Sequence, residues 1–192
     1  MIGGVVLAAG GASRFGSPKQ LAELDGRPLL QHAVDAMLAV PAIDPVVVVL
    51  GAEAERVRAA VDLGAARSVV CEEWADGMAA SLRCGVEAVG DCDWVILTLG
   101  DQPRVTPQVI AAVMDHAVGA PAGTTAVRTT YDGAPGHPVA LGRAILPHVA
   151  ALSGDVGARE LLGHATVRTF EAARLCDPTD VDTPQDLEAM RP

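Results

Sequence analysis

Seven residues, "PVVVVLG" at positions 45–51, constrain this chain more than any others. A strand with one wet face alternates apolar and polar side chains, so an unbroken apolar run must be covered on both faces. The run is too short for an ordinary helix, and its valines favour extended backbone. Residues 2–9 (IGGVVLAA) and 93–100 (DWVILTLG) have the same character, and 66–71 (ARSVVC) is a shorter version. Between these runs, apolar residues recur at helical spacing over 28–40, 52–62, 77–89 and 106–118. The last of these carries Thr106 as N-cap and Pro107 at its first position. Strands buried on both faces and alternating with helices imply an α/β fold with a parallel sheet between two helical layers.

The rhythm changes after about residue 122. Residues 123–141, "GTTAVRTTYDGAPGHPVAL", predict two strands around a loop marked by Asp132-Gly133 and Pro135-Gly136. Short helices are expected over 143–152 and 154–163, a late strand over 165–172, and a closing helix begun by Thr183-Pro184. The sheet is therefore mostly parallel but mixed. A length of 192 residues without a repeat or low-complexity linker predicts a single domain.

Composition narrows the function. The chain has 14 basic against 24 acidic residues, a formal charge of -10, which argues against nucleic acid as a partner. A few local cations can still hold a small anion. Cys71, Cys84, Cys92 and Cys176 show no Cys-x-x-Cys spacing and read as small buried hydrophobes in a reducing compartment. No basic leader precedes an apolar stretch, and no apolar run approaches the ~20 residues of a membrane span, so a cytoplasmic protein without membrane contact is expected.

In open α/β sheets, ligands sit beyond the carboxyl ends of the strands. Two glycine-marked, charged turns occur at such ends: "LAAGGASRFGSPKQL" at 7–21 and "LTLGDQP" at 97–103. The first is not a dinucleotide fingerprint, because Gly10 and Gly11 are adjacent. Gly11 and Gly16 have P-loop spacing, but Ser17-Pro18 replaces the required Lys-Ser/Thr. Backbone N–H groups remain, with Arg14 and Lys19; read alone, these are either a phosphate grip or solvated loop cations. Asp101 is either a loop-capping acid or a ligand for Mg²⁺, which takes one or two carboxylates together with substrate phosphates. Asp180 and Asp182 could supply the second carboxylate or simply favour the helix N-terminus behind them. His137 is either a packed loop residue or a ligand contact, and Asp155 and Arg159 have the spacing of a helical ion pair.

These stretches together resemble the MobA-like nucleotidyltransferases. The matching positions are Gly10, Arg14, Lys19 and the "GRPLL" of 26–30, then "WADGMAASLRCG", "GDQP" and "DVDTPQDL" in order. Phe15 stands where many members have Met, and Ala12 where many have Ser. The "GHPV" and "GDVGAR" segments are most similar to the molybdenum cofactor cytidylyltransferases. The resemblance implies a Rossmann-like three-layer αβα domain over 1–192, with a nucleotide-binding half to about residue 120 and an acceptor-binding half beyond it. It implies transfer of CMP from CTP to Mo-molybdopterin with release of pyrophosphate. It places Arg14, Lys19 and Asp101 in catalysis, and Leu7, Ala8, Ala9, Gly10, Gly11, Arg14, Lys19, Gly77 and Ser81 around the nucleotide. Asp101 and Asp182 would hold Mg²⁺, or alternatively Mn²⁺, while Gly136, His137, Asp155 and Arg159 would face the acceptor. A molybdoenzyme or its chaperone is the implied docking partner. A sister enzyme using GTP or another acceptor, an NAD(P)H-dependent oxidoreductase of the same broad family, and a non-catalytic nucleotide or cofactor chaperone are the alternatives left open.

Overall fold

The computed structural model describes residues 1–11, 15, 17–163 and 165–191. In chain order the strands are β1 (Ile2–Ala8), β2 (Glu23–Leu24), β3 (Arg27–Pro28), β4 (Val46–Leu50), β5 (Arg67–Val70), β6 (Trp94–Leu99), β7 (Ala126–Tyr131), β8 (Ala134–Gly142) and β9 (Val167–Glu171). The helices are α1 (Leu29–Leu38), α2 (Ala54–Ala60), α3 (Met78–Val89), α4 (Pro107–Val118), α5 (Ala158–Leu162) and α6 (Pro184–Ala189). Seven strands form one sheet in the order β5-β4-β1-β6-β8-β7-β9. β1 pairs parallel with β4 and β6, while β8 runs antiparallel to β6 and β7. The mostly parallel mixed sheet is the expected one.

Every residue of β4 is buried, because helices cover both faces of the sheet. Val6, Ala8, Val48, Leu50 and Ile96 face a core built with α1, α2 and α4. Val5, Leu7, Val47, Val49, Val95 and Leu97 face α3, α5 and the 3-10 turn Leu146–Ala151. From β1 the chain builds outward through β4 to β5, then crosses back to place β6 on the other flank of β1. The loops leaving β1 and β6 therefore diverge and open a crevice at the carboxyl edge of the sheet.

Caps follow the sequence signals. Thr106 Oγ1 accepts from Val109 N at the start of α4, and Thr183 forms a capping box with Asp186 at the start of α6. Some expectations need correction. The helix expected over 143–152 is a 3-10 turn, and that over 154–163 shortens to α5 behind the extended Gly157. Pro135 and Gly136 lie inside β8 rather than in the loop. The turn itself is Asp132-Gly133, both at positive φ, and Glu171 accepts from both of their backbone N–H groups. A further hairpin, β2–β3, turns on Asp25-Gly26 at positive φ, a signal present in the sequence but overshadowed by the helix behind it. Cys71 and Cys92 are buried as expected, but Cys84 and Cys176 are only half-buried. Burial and the neighbouring Cys71 push the Cys84 thiol up to about 12, which favours its protonated form.

One contact fixes how closely α3 lies on the sheet. A Cβ on Gly85 would stand 2.6 Å from Val5 Cγ1 and 3.0 Å from Val49 Cγ2, both rigid branched side chains in the core. Gly85→Ala gains about 1 kcal/mol of helix propensity but overpacks this seam at a cost of about 1–3 kcal/mol. Net destabilisation is expected, read as a lower urea midpoint with an unchanged slope; a stabilised variant would show that the seam yields.

Candidate functional site

A cavity of about 340 Å³ occupies the crevice. Leu7, Ala8, Ala9, Gly10 and Gly11 line it from the end of β1, and Leu99, Gly100 and Asp101 from the end of β6. Lys19, Gly77, Ser81, Asp155 and Asp182 complete the expected residues on its wall. Arg14 lies outside the described residues. Gly11 is fixed by crowding, since a Cβ there would meet the Trp74 ring at 2.9 Å, whereas a Cβ on Gly10 would meet no described atom.

Lys19 binds the site together. Its Nζ donates to Asp101 Oδ2 at 2.6 Å and to Asp182 Oδ1 at 2.9 Å. Burial alone would lower its pKa, but the charges and hydrogen bonds of Asp101 and Asp182 outweigh this and raise it, so Lys19 stays cationic. Asp101 Oδ1 is buried and has no hydrogen-bond partner among the described residues. That bare carboxylate oxygen, with Asp182 beside it, fits a hard divalent cation that completes its shell with water and phosphate oxygens. No group of three or more His, Cys, Asp or Glu able to hold a metal occurs among the described residues, so a cation here would depend on the ligand's own oxygens. Asp180 follows the chain to the neighbouring cavity instead, where desolvation and then the Asp101 charge raise its pKa.

Sequence reasoning missed Gln20. The residue is buried, and its Nε2 donates to the carbonyls of Ala8 and Gly10, each at 2.8 Å. It holds the first glycine turn in shape from beneath. Only the neighbouring "PKQL" hinted at it. Trp74 was missed for a similar reason: its place against Gly11 and Gly51 is a tertiary fact.

A second cavity of about 450 Å³ adjoins the first. Gly136, His137, Asp155 and Arg159, the residues expected to face an acceptor, all line it. Met78, Leu99 and Asp155 belong to both cavities. Asp155 precedes α5 while Arg159 lies within it, so the helical-pair alternative is not what the structure shows. Burial pushes His137 down to about 4 against a weaker upward pull from Asp101, so its imidazole is neutral at physiological pH.

The fold and the carboxyl-edge crevice together define a Rossmann-like nucleotidyltransferase. Residues 4–170 match the MobA-like NTP transferase domain, and the chain belongs to that family. Nicotine blue oxidoreductase of Paenarthrobacter nicotinovorans is 32% identical over 97% of this chain and 92% of its own. The crystal structure of Rv0371c from Mycobacterium tuberculosis H37Rv has a TM-score of 0.87 and 34% identity, covering 98% of this chain and 95% of that one. The same protein in complex with manganese gives 0.79 and 33%, covering 98% and 97%. The 2-C-methyl-D-erythritol 4-phosphate cytidylyltransferase of Chromobacterium violaceum is 36% identical over 67% of this chain and 62% of its own length.

Two outcomes check this geometry. Gln20→Leu strips two carbonyls of their donor and should cost about 2 kcal/mol in chemical denaturation, together with weaker nucleotide binding; unaltered binding would detach Gln20 from the loop's shape. For His137 the folded state resists the proton that the unfolded chain takes up near 6.5. Its contribution to stability is complete above that pH and is lost on acidification towards about 4. An imidazole NMR titration should show that depressed midpoint, and His137→Asn should flatten this part of the stability profile.

Proposed function

We propose that the protein transfers CMP from CTP to a phosphorylated, molybdopterin-type acceptor and releases pyrophosphate. The observation that carries this reading is the shared wall: two cavities of substrate size meet at Met78, Leu99 and Asp155 beside the Lys19–Asp101 pair. A nucleotide and an acceptor so placed need no covalent enzyme intermediate. In this reading residues to about 120 form the nucleotide half and the remainder the acceptor half of one domain.

The acceptor's phosphate oxygen attacks the α-phosphorus, that P–O bond forms, and the bond to the β-phosphate oxygen breaks. The chain's work is positioning and charge compensation. Lys19 offsets the charge that grows on the departing pyrophosphate, and Arg14 shares this role from the same loop. Backbone N–H groups at Gly10 and Gly11 approach the phosphates, in a shape that Gln20 maintains. Asp101 and Asp182 are the residues that would hold Mg²⁺ or Mn²⁺, whose chemistry there is neutralisation and alignment of phosphate oxygens. Base choice in this reading falls to Leu7 to Ala9 and to Gly77 with the first turn of α3 up to Ser81, which line the first cavity, and not to the Pro28-Leu29 region also expected from the sequence, where Leu29 is buried in the small core. The family supports an NTP substrate, the cytidylyltransferase relative supports CTP, and the manganese complex of a relative supports a divalent ion. The molybdopterin acceptor, and any docking to a molybdoenzyme or its chaperone, rest on the "GHPV" and "GDVGAR" segments.

The nicotine blue oxidoreductase relative, which spans nearly the whole chain, favours a second reading: an NAD(P)H-dependent oxidoreductase of the same broad family. Pyrophosphate release scored with CTP, GTP and no nucleotide, each with molybdopterin and Mg²⁺, together with NAD(P)H consumption and nucleotide binding on the same protein, separates the possibilities. CTP-dependent release is expected. Turnover with GTP alone would make the protein a sister transferase, NAD(P)H oxidation without pyrophosphate would install the second reading, and nucleotide binding without turnover would make it a chaperone. Asp101→Ala and Lys19→Met should each lower kcat by about 10²–10³-fold, and full activity of Asp101→Ala would remove the metal role.

A further inference from the structure

The second cavity has a floor that the transfer chemistry leaves unused. Arg128 enters it from β7 and Gln102 from the loop after β6. Arg128 Nε is buried with no hydrogen-bond partner among the described residues, and so is Gln102 Oε1. Gln102 is only 4% exposed, and its Nε2 is already committed to Pro178 O at 2.9 Å, which fixes the direction of the amide. Both residues line the cavity and each carries a buried polar atom without a partner, a combination that proteins rarely leave without a ligand nearby.

Backbone geometry supports this placement. The β7–β8 register shifts between Arg128 and Thr129, and Thr129 Oγ1 secures the irregularity by donating to Pro138 O at 2.5 Å. Such bulges re-aim the side chain beside them. Between floor and rim the walls are apolar, with Leu97, Leu99, Val139 and Leu162, which suits a flat ring. The rim carries exposed charges of both signs, Asp155 and Asp180 against Arg159, so it gives no net pull for a second anion.

We propose that Arg128 and Gln102 read the lactam edge of a flat heterocycle on the acceptor, Arg128 donating to its carbonyl oxygen and Gln102 Oε1 accepting from the adjacent N–H. The inference rests on the second cavity being the acceptor site and identifies what that site recognises. The ring end is held on the floor, which leaves the phosphate end for the wall shared with the first cavity. Specificity of this type is strong because a ligand with the wrong pattern leaves buried groups unpaired.

The test uses the intact protein and two fluorescent probes, pterin and 2,4-diaminopteridine, titrated by fluorescence quenching. The second probe carries an amino group in place of the carbonyl and lacks the adjacent ring N–H. Wild-type protein should bind pterin at least about tenfold more tightly. Arg128→Met should weaken pterin binding by roughly 10–100-fold and erase the preference, and Arg128→Lys should restore only part of it. CTP binding, measured on the same samples, should be unchanged. Equal affinity for the two probes, no binding of either, or an undiminished preference in Arg128→Met overturns the inference. The wild-type comparison needs no variant, so a folding defect in Arg128→Met does not shelter it. CMP transfer whose acceptor KM ignores Arg128 would sink the inference alone, whereas Arg128-dependent pterin binding without CMP transfer would support it and sink the proposed function.

Discussion

One ammonium group holds the carboxyl edge of this sheet together. Lys19 comes from the loop after β1, Asp101 from the end of β6 and Asp182 from the C-terminal segment, and they meet within hydrogen-bond distance. Lys19 and Asp101 are mostly withdrawn from water, with side chains 19% and 22% exposed, so neither charge tolerates the loss of the other well. Asp182, at 57%, is the looser member. The arrangement also explains why the chain returns to its own beginning. Val181 N donates to Asp101 O, and Val181, Leu187 and Met190 join Leu24 and Leu29 in a small core under the β2–β3 hairpin. That apolar cluster positions Asp182, and Asp182 in turn shares Lys19 with Asp101.

Much of this is legible in the sequence itself. Runs such as 45–51 and 93–100 declare buried parallel strands because no other element tolerates that pattern at that length. Lys19, Asp101 and the glycine turns were readable because ligands gather at carboxyl ends of such strands. What escaped the sequence depends on distance in space. Gln20 looks like any surface glutamine until its amide is seen under the Ala8 and Gly10 carbonyls. Asp155 and Arg159 have helical spacing, but the helix begins only at Ala158, so their spacing carries no contact. Arg128 sits in a Thr-rich strand with nothing local to mark it, and its meaning lies in an unpaired buried nitrogen on a residue that lines a cavity built from five segments of the chain.

The wall between the two cavities shows how the halves of the chain are joined. The Gly77 turn and the "GDVG" segment press together so closely that a Cβ on Gly77 would stand 2.5 Å from Gly154 O, and one on Gly157 would stand 2.5 Å from Met78 Sδ. Gly77 also has φ 109°, a conformation that side chains resist. Ala79 N donates to Gly154 O, and Arg83 reaches Leu152 O from the next turn of α3. The start of α3 is therefore seated by the segment that also supplies Asp155.

This seating makes the two pockets mechanically dependent. Met78, which lines both cavities, packs on Gly157, and the backbone of Asp155 packs on the Gly77 turn. A transferase gains from such a wall, because in-line attack needs the reacting atoms aligned closely, and errors on either side add directly. A rigid seam of glycines keeps that separation short where larger side chains would widen it. In the proposed transfer, the charged edge at Lys19 would set the direction of the phosphates and the seam the distance across it, two constraints that come from different parts of the sequence.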